Sequence, residues 1–378
     1  MEPKLKDFSE DSDILRFTLH GTEVSIANAL RRTILSDIPI VVVETDTYEN
    51  NKCNIKKNTG RLHNEIIKQR LSCIPIHSTL LRDIDDKKAL PENYSLVVDV
   101  ENKTENVIYV TTEDFRLRDN SSGKMLSKEE MDKLFPGLFP MNVQTQSYID
   151  FARLRPKIGN DIPGEHLQLV ADFSINNAKG SSMYNVVSKC AYGNTPDTEK
   201  AATIWDKQES KMRSEGDNDT DIRFQKENFR ILDAQRHFVE NSFDFVLQTV
   251  GIYDNKDIVR KSCAVLQNKF IDIVQLIDGG LMPILTSETT MDNCFDIQLE
   301  EEDYTIGKVL EYILYTKYYD GEKTLKFCGF KKYHPHDTKS IIRIAFTDKQ
   351  EKSVVNHYLR DACVDAQQVF KDIYGLFK

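Results

Sequence analysis

The sequence predicts an α+β fold in which two related modules share one chain and a mixed α/β domain interrupts the first. Three observations lead there. Strand-like alternation and helical periodicity succeed each other along the chain. A strand-then-helix unit near the N-terminus is echoed near the C-terminus, and each unit closes on a long amphipathic helix. At 378 residues the chain can bury a sizeable core and divides into two or three domains.

Residues 12–20 (SDILRFTLH) alternate apolar and polar, as a strand with one buried face does. A helix is expected from Val24 to Asp37, with Ile26, Leu30 and Ile34 recurring on one face, and Pro39 ends it. The β-branched run 40–48 (IVVVETDTY) reads as a strand. After a polar turn region, a short helix runs from His63 to Ser72 and stops before Pro75. Strands follow at 94–100 (YSLVVDV), 107–112 (VIYVTT) and 166–175 (HLQLVADFSI).

Residues 196–227 are roughly half charged and carry a lone Trp205, which predicts an exposed excursion or mobile loop. Beyond it, 242–251 (SFDFVLQTVG) is a strand. A long helix starts at Asn255, with Val259, Cys263, Leu266, Phe270, Ile273 and Ile277 on one stripe, and breaks at Gly279-Gly280. The segment 286–378 reads strand, helix, strand, strand, helix, with strands CFDIQL, TLKFCGF and KSIIRIAF. Its closing helix lines up Val355, Leu359, Ala362, Ala366, Val369 and Ile373. The resulting division is a first module at 1–50 plus 229–285, an inserted domain at 51–228, and a second module at 286–378.

Composition excludes several functions. No apolar stretch approaches the roughly 20 residues that span a bilayer, and the start lacks the apolar core of a signal peptide, so the chain reads as intracellular. The seven cysteines (Cys53, Cys73, Cys190, Cys263, Cys294, Cys328, Cys363) form no CxxC, which argues against a zinc ribbon and for a reducing compartment. A net charge of −10, with Lys and Arg interspersed among acids, argues against direct gripping of nucleic acid and for protein neighbours. No Walker A, GxGxxG, HExxH or aspartate-triplet motif gives nucleotide or metal chemistry a home. No bound cofactor is expected.

The two halves align at their helices. SIANALRRTIL (Ser25 to Leu35) lies against TIGKVLEYIL (Thr305 to Leu314), so that Ser25 meets Thr305, Ala27 meets Gly307 and Leu30 meets Leu310. Such a repeat suggests a pseudo-symmetric pair that buries its apolar helix faces. NALRRTILSDIP (Asn28 to Pro39) and GRLHNEIIKQRLSCIPI (Gly60 to Ile76) resemble the signature of the α-like RNA polymerase subunits. That family holds the bacterial α subunit, its archaeal D-like counterpart and the third-largest eukaryotic subunit. Leu154-Arg155-Pro156 looks like an element of the inserted domain in the archaeal and eukaryotic members, and Leu247 to Phe270 resembles the family's final strand and long helix. The C-terminal part is similar to the small α-like partner, which is the archaeal L-like or the eleventh eukaryotic subunit. The residues concerned are Glu301 to Leu314, Phe327 to Pro335 and Lys339 to Phe346.

The resemblance implies two α-subunit-type dimerisation modules fused into a pseudo-heterodimer, as in the polymerase of some large cytoplasmic DNA viruses. It implies a non-catalytic assembly subunit that holds the largest and second-largest polymerase subunits in register, alongside small polymerase subunits. If the source is viral, it implies work in the host cytoplasm and packaging in the virion. Some relatives bind zinc or an iron–sulfur cluster in the inserted domain through clustered cysteines. Here no cysteine falls between residues 77 and 189, so no metal is expected there. A standalone intracellular homodimeric scaffold or regulator using the same pairing fold is the alternative.

Asn28, Arg31, Arg32 and Leu35 lie beside the apolar stripe of their helix. They are either solvated side chains or, as the resemblance implies, the grip on the second-largest subunit, a role that suits the planar guanidinium fork. The matching positions in the second module are Glu311 and Tyr312, so one module alone should make that contact. Ile26, Leu30, Ile34, Ile306, Leu310, Leu314, Phe270 and Leu359 are the expected internal pairing residues. His334-Pro335-His336-Asp337 reads as a structural turn rather than a metal site, and His63 with Glu65 as surface structure rather than an acid–base pair.

Overall fold

The computed structural model describes residues 1–77, 90–159, 161–288 and 291–377. Strand β1 (Lys4–Asp11) turns into β2 (Ile14–His20), whose alternation buries Leu15, Phe17 and Leu19. Helix α1 (Val24–Ser36) follows and buries Ile26, Ala27, Ala29, Leu30, Thr33 and Ile34. The chain then enters a different body. There β3 (Ile40–Val42), β4 (Cys53–Asn58), α2 (Asn64–Ser72), α3 (Leu90–Asn93), β5 (Tyr94–Glu101), β6 (Ile108–Thr111) and β7 (Arg116–Asp119) come first. Helix α4 (Lys128–Leu134) and strands β8 (Asp150–Leu154), β9 (His166–Asp172) and β10 (Ser174–Asn176) complete it.

The chain returns through β11 (Val187–Pro196), the helices α5 (Thr198–Glu215) and α6 (Asp219–Ile231), β12 (Phe238–Thr249) and the long α7 (Asn255–Asp278). The last part is β13 (Ile284–Thr286), β14 (Cys294–Glu300), α8 (Tyr304–Leu314), a π-helical turn at Tyr315–Gly321, β15 (Leu325–Lys331), β16 (Lys339–Phe346) and α9 (Lys352–Leu376).

Two compact units result. One comprises Met1–Leu35, Val187–Gln248 and Asn255–Lys378; the other comprises Ser36–Val186 and Thr249–Asp254. The first unit holds two sheets of identical plan, β1-β2-β12-β11 and β13-β14-β16-β15. Each is a hairpin, a helix, two further antiparallel strands and a closing long helix, so α1 answers to α8 and α7 to α9. Helices α7 and α9 pack extensively on each other, with the Phe270 ring stacked on Phe370 at 6.0 Å between centroids. The second unit is built on the sheet β4-β9-β5-β7 and the pairs β6-β8 and β3-β10. Its centre is Phe115, in edge contact with Phe139 and Phe151 at 5.3 Å each.

Three sequence expectations need correction. The inserted body runs from residue 36 to 186 rather than 51 to 228, because the first module's chain leaves directly after α1 and β11 rejoins its sheet beside β12. The strand expected over 40–48 pairs only at Ile40–Val42, against Ser174–Asn176. Beyond it the polar Asp46-Thr47 turns the chain, with Thr47 at φ 46°.

The third correction concerns 196–227, which is a helical hairpin rather than a loop. Asp197 caps α5 by accepting the Lys200 N–H (2.9 Å), and Asn218 caps α6 by accepting that of Asp221 (2.8 Å). Gly216, at φ 89°, ends α5 in the left-handed conformation that glycine adopts without strain. Ala201, Trp205, Ile222 and Phe229 form a small private core, which is enough burial to hold two capped helices together.

Candidate subunit interface

The amphipathic period of α1 buries its apolar stripe and leaves Asn28, Arg31, Arg32 and Leu35 half-buried at its side. Asn28 Oδ1 accepts from Arg31 Nε (3.2 Å) and Nη2 (2.9 Å), which fixes the guanidinium on the helix surface. Arg31 also faces β11. Burial pushes the Cys190 thiol up to about 12 while Arg31 pulls the other way, and the Tyr192 phenol is likewise raised by burial against the same guanidinium. Asn28, Arg31 and Leu35 thus make a half-exposed patch whose oriented fork suits a carboxylate on a neighbouring protein.

Arg32 does something else, and the expectation of an outward grip fails for it. Its Nε donates to Thr305 Oγ1 (2.8 Å) and its Nη2 to Asp303 Oδ2 (2.6 Å), both at the start of α8. Asp303 Oδ1 in turn accepts the Thr305 N–H (2.8 Å) as the cap of that helix. Burial pushes the Asp303 carboxyl up, but Thr305 and Arg32 together outweigh it and hold the group below its ordinary range. The fork is committed inside the chain because the pseudo-twofold arrangement sets the middle of one helix against the start of its counterpart.

The counterpart of the Arg31 patch on α8 has the opposite character. Glu311 pairs with Lys308 (2.5 Å) and accepts the Phe330 N–H (3.1 Å), so the carboxylate serves its own module. Tyr312 is half-buried.

The expected pairing residues are all interior. Ile26, Leu30, Ile306, Leu310, Leu314, Phe270 and Leu359 are fully buried and Ile34 nearly so. Sequence reading missed the residues that tie the long helices at their ends. Arg260 lies 4.9 Å over the Tyr374 ring and donates to its hydroxyl (2.9 Å), and Arg360 reaches Asp278 (3.0 Å). Lys269 of α7 meets Glu302 at 3.3 Å. Their partners lie far away in the chain, beyond what local periodicity reveals.

In the second unit, Leu154 is buried at the end of β8 and Arg155 is held through both its amide and its guanidinium by the buried Glu165. On the last module, the His334 N–H donates to Asp337 (3.0 Å) and His334 Nδ1 accepts the His336 N–H, which makes this segment an exposed, internally bonded turn. His63 and Glu65 are exposed and 4.0 Å apart. Among the described residues, no three His, Cys, Asp or Glu side chains gather as a metal site, and no helix is long and apolar enough to cross a membrane.

The family described as the RNA polymerase Rpb3/Rpb11 dimerisation domain matches residues 16–270, and a second profile of the same description matches 294–374. Among curated proteins, the chain is 34% identical over 107 residues to DNA-directed RNA polymerase subunit Rpo3 of Pyrococcus horikoshii, covering 28% of this chain and 38% of that one. It is 37% identical over 76 residues to subunit 3 of the DNA-directed RNA polymerases II, IV and V of Arabidopsis thaliana, covering 20% and 22%. Against subunit RPAC1 of the human RNA polymerases I and III it is 37% identical over 68 residues, 18% of each chain. The aligned segments therefore span less than two fifths of these relatives' length.

Proposed function

The chain belongs to the RNA polymerase Rpb3/Rpb11 dimerisation-domain family and carries that domain twice, and from this membership we propose that it is a non-catalytic assembly subunit of a multisubunit DNA-directed RNA polymerase. The observation that carries the reading is the pair of modules with one sheet plan, joined through α7 and α9 inside a single compact unit. A chain that completes its own pairing is equipped to present one fixed surface to larger neighbours. On this reading those neighbours are the largest and second-largest polymerase subunits, with small subunits beside them, and nucleotide chemistry lies in the large ones. Asn28, Arg31 and Leu35 form the contact for the second-largest subunit, and Glu311 keeps the second module from offering the same contact. Fusion of the two modules favours the cytoplasmic polymerase of a large DNA virus, working in the host cytoplasm and carried in the virion. A homodimeric scaffold is less well supported, because the helix faces such a scaffold would use to pair are already covered within one chain.

The test is affinity purification of the tagged chain from its native source, followed by mass spectrometry. Proteins several times larger than this 43.6 kDa chain, with polymerase sequences, should come down in constant proportion. Arg31→Ala should reduce their recovery without changing the melting of the chain. Recovery of the chain alone, or only with copies of itself, would refute the assignment.

A further inference from the structure

The plan of the first unit lets each residue of one module be matched with its counterpart in the other. Helices α1 and α8 match through Ser25 and Thr305. Helices α7 and α9 match through their buried stripes: Val259 with Val355, Cys263 with Leu359, Leu266 with Ala362, Phe270 with Ala366, Ile273 with Val369 and Ile277 with Ile373. At two places the first module sends a cation to the second. Arg32 reaches Asp303 at 2.6 Å, and Lys269 reaches the adjacent Glu302 at 3.3 Å, with both side chains of the latter pair about four-fifths buried. The matching residues of the second module are Tyr312 for Arg32 and Asp365 for Lys269. Those of the first module for Glu302 and Asp303 are Thr22 and Glu23.

We infer that these two ion pairs encode which module pairs with which, the acids Glu302 and Asp303 accepting only a module that carries Arg32 and Lys269. Two copies of the second module would set Tyr312 opposite Asp303 and Asp365 opposite Glu302. Asp365 already shares Lys317 of its own module (3.0 Å) with Asp361, so both acids would lose the cations that Arg32 and Lys269 bring, and the partly desolvated Glu302 would face another carboxylate. Two copies of the first module would keep Arg32 opposite Glu23 and set the uncharged Thr22 where Glu302 meets Lys269. Any pairing of like with like between chains therefore strands second modules that cannot pair with each other. Only the unlike pairing satisfies every module, and the five residues between Asp278 and Ile284 hold it within one chain. This code concerns the chain by itself and stands whether or not a polymerase is its partner.

Charge exchange on the full chain tests the inference, read as the melting midpoint and the mass in solution. Lys269→Glu and Glu302→Lys should each lower the midpoint by about 2–4 °C, and the double exchange should recover most of the loss. Arg32→Glu combined with Lys269→Glu sets an acid opposite both Asp303 and Glu302, a stronger mismatch than two second modules would meet. That variant should lose the monomer to larger species in low salt and regain part of it near 1 M salt, where the screening length falls to about 3 Å. A merely structural role for these side chains would give neither the recovery nor the salt dependence. A double exchange no better than the worse single variant would overturn the code. So would a doubly acidic variant that stays monomeric with the wild-type midpoint.

Discussion

Gly307 sits inside α8, where alanine would ordinarily be the better residue by about 1 kcal/mol. The structure reverses that expectation. A Cβ built there would stand 2.0 Å from Cε2 and 2.2 Å from Cδ2 of Phe330, far inside contact distance, so the ring must leave its place. The ring is half-buried and makes an edge contact with Tyr304 at 5.2 Å. Losing half the burial of a large apolar side chain costs about 1 kcal/mol, and losing the aromatic contact about 0.5–1.5 kcal/mol. Against the helix gain, Gly307→Ala should be destabilising by about 1 kcal/mol, within the usual range for overpacking. The sign should change once the ring is gone. In a Phe330→Ala background, Gly307→Ala should stabilise by about 1 kcal/mol. Thermal melting of the four chains, wild type, each single variant and the double, measures both effects. A higher midpoint for Gly307→Ala in the wild-type background would mean that the ring does not fill this space, and the packing of α8 against β15 would have to be redrawn. The matched residue in α1 is Ala27, fully buried, so the two modules have settled the same position differently.

Four further outcomes are expected. Leu310→Asp places a charge at a fully buried position, where an unpaired carboxylate costs several kcal/mol, and should leave no monomer on size-exclusion chromatography; a normal monomer would refute the internal pairing. Trp205→Ala should cost about 3–5 kcal/mol, more than a four-residue core can spare, so limited proteolysis should cut within 198–231 while the melting of the remainder stays unchanged. Thiol titration of the native chain should find one fast cysteine, the exposed Cys73. Cys53 is pushed up to about 11 by burial and the buried Cys190 and Cys363 to about 12, while the half-buried Cys328 is raised to about 12 by desolvation and by Glu311, so a second fast thiol would contradict these surroundings. The Asp303 carboxyl is held below its ordinary value of 3.8, so its contribution is fully present above that value and is lost as pH falls through the lowered one. The midpoint gap between wild type and Asp303→Asn should therefore stay constant from neutrality down to about pH 4 and close below it; a gap unchanged at the most acid pH would show that the ion pair does not set it.

The elements that were legible in the sequence are those whose burial is periodic. The stripe from Val259 to Ile277 and that from Val355 to Ile373 each announce a helix with one covered face, and all their members are buried. The hairpin at 198–231 was obscured because its burial is sparse. Trp205 and Ala201 on one helix meet Ile222 and Phe229 on the other, and charged residues fill the remaining turns. The signals that mark it are its punctuation, Asp197, Gly216 and Asn218, which cap both helices and separate them. Arg32 shows a different limit. Helical geometry places it correctly beside the stripe, but the residues that bind it lie 271 and 273 positions away, and only the pseudo-twofold arrangement brings them together. Its neighbour Arg31, bonded within its own turn, stands where the sequence suggested.

The short connector between α7 and β13 has a meaning beyond geometry. When two halves of a pair are separate products, their amounts must be matched, and any excess of one exposes an apolar helix face that invites aggregation or degradation. Here a single round of translation delivers both halves in equal number, and α7 has been made before α9 emerges, so the second half meets a waiting mate. Dosage control, a partner search and an unpaired surplus are all removed by five residues of chain.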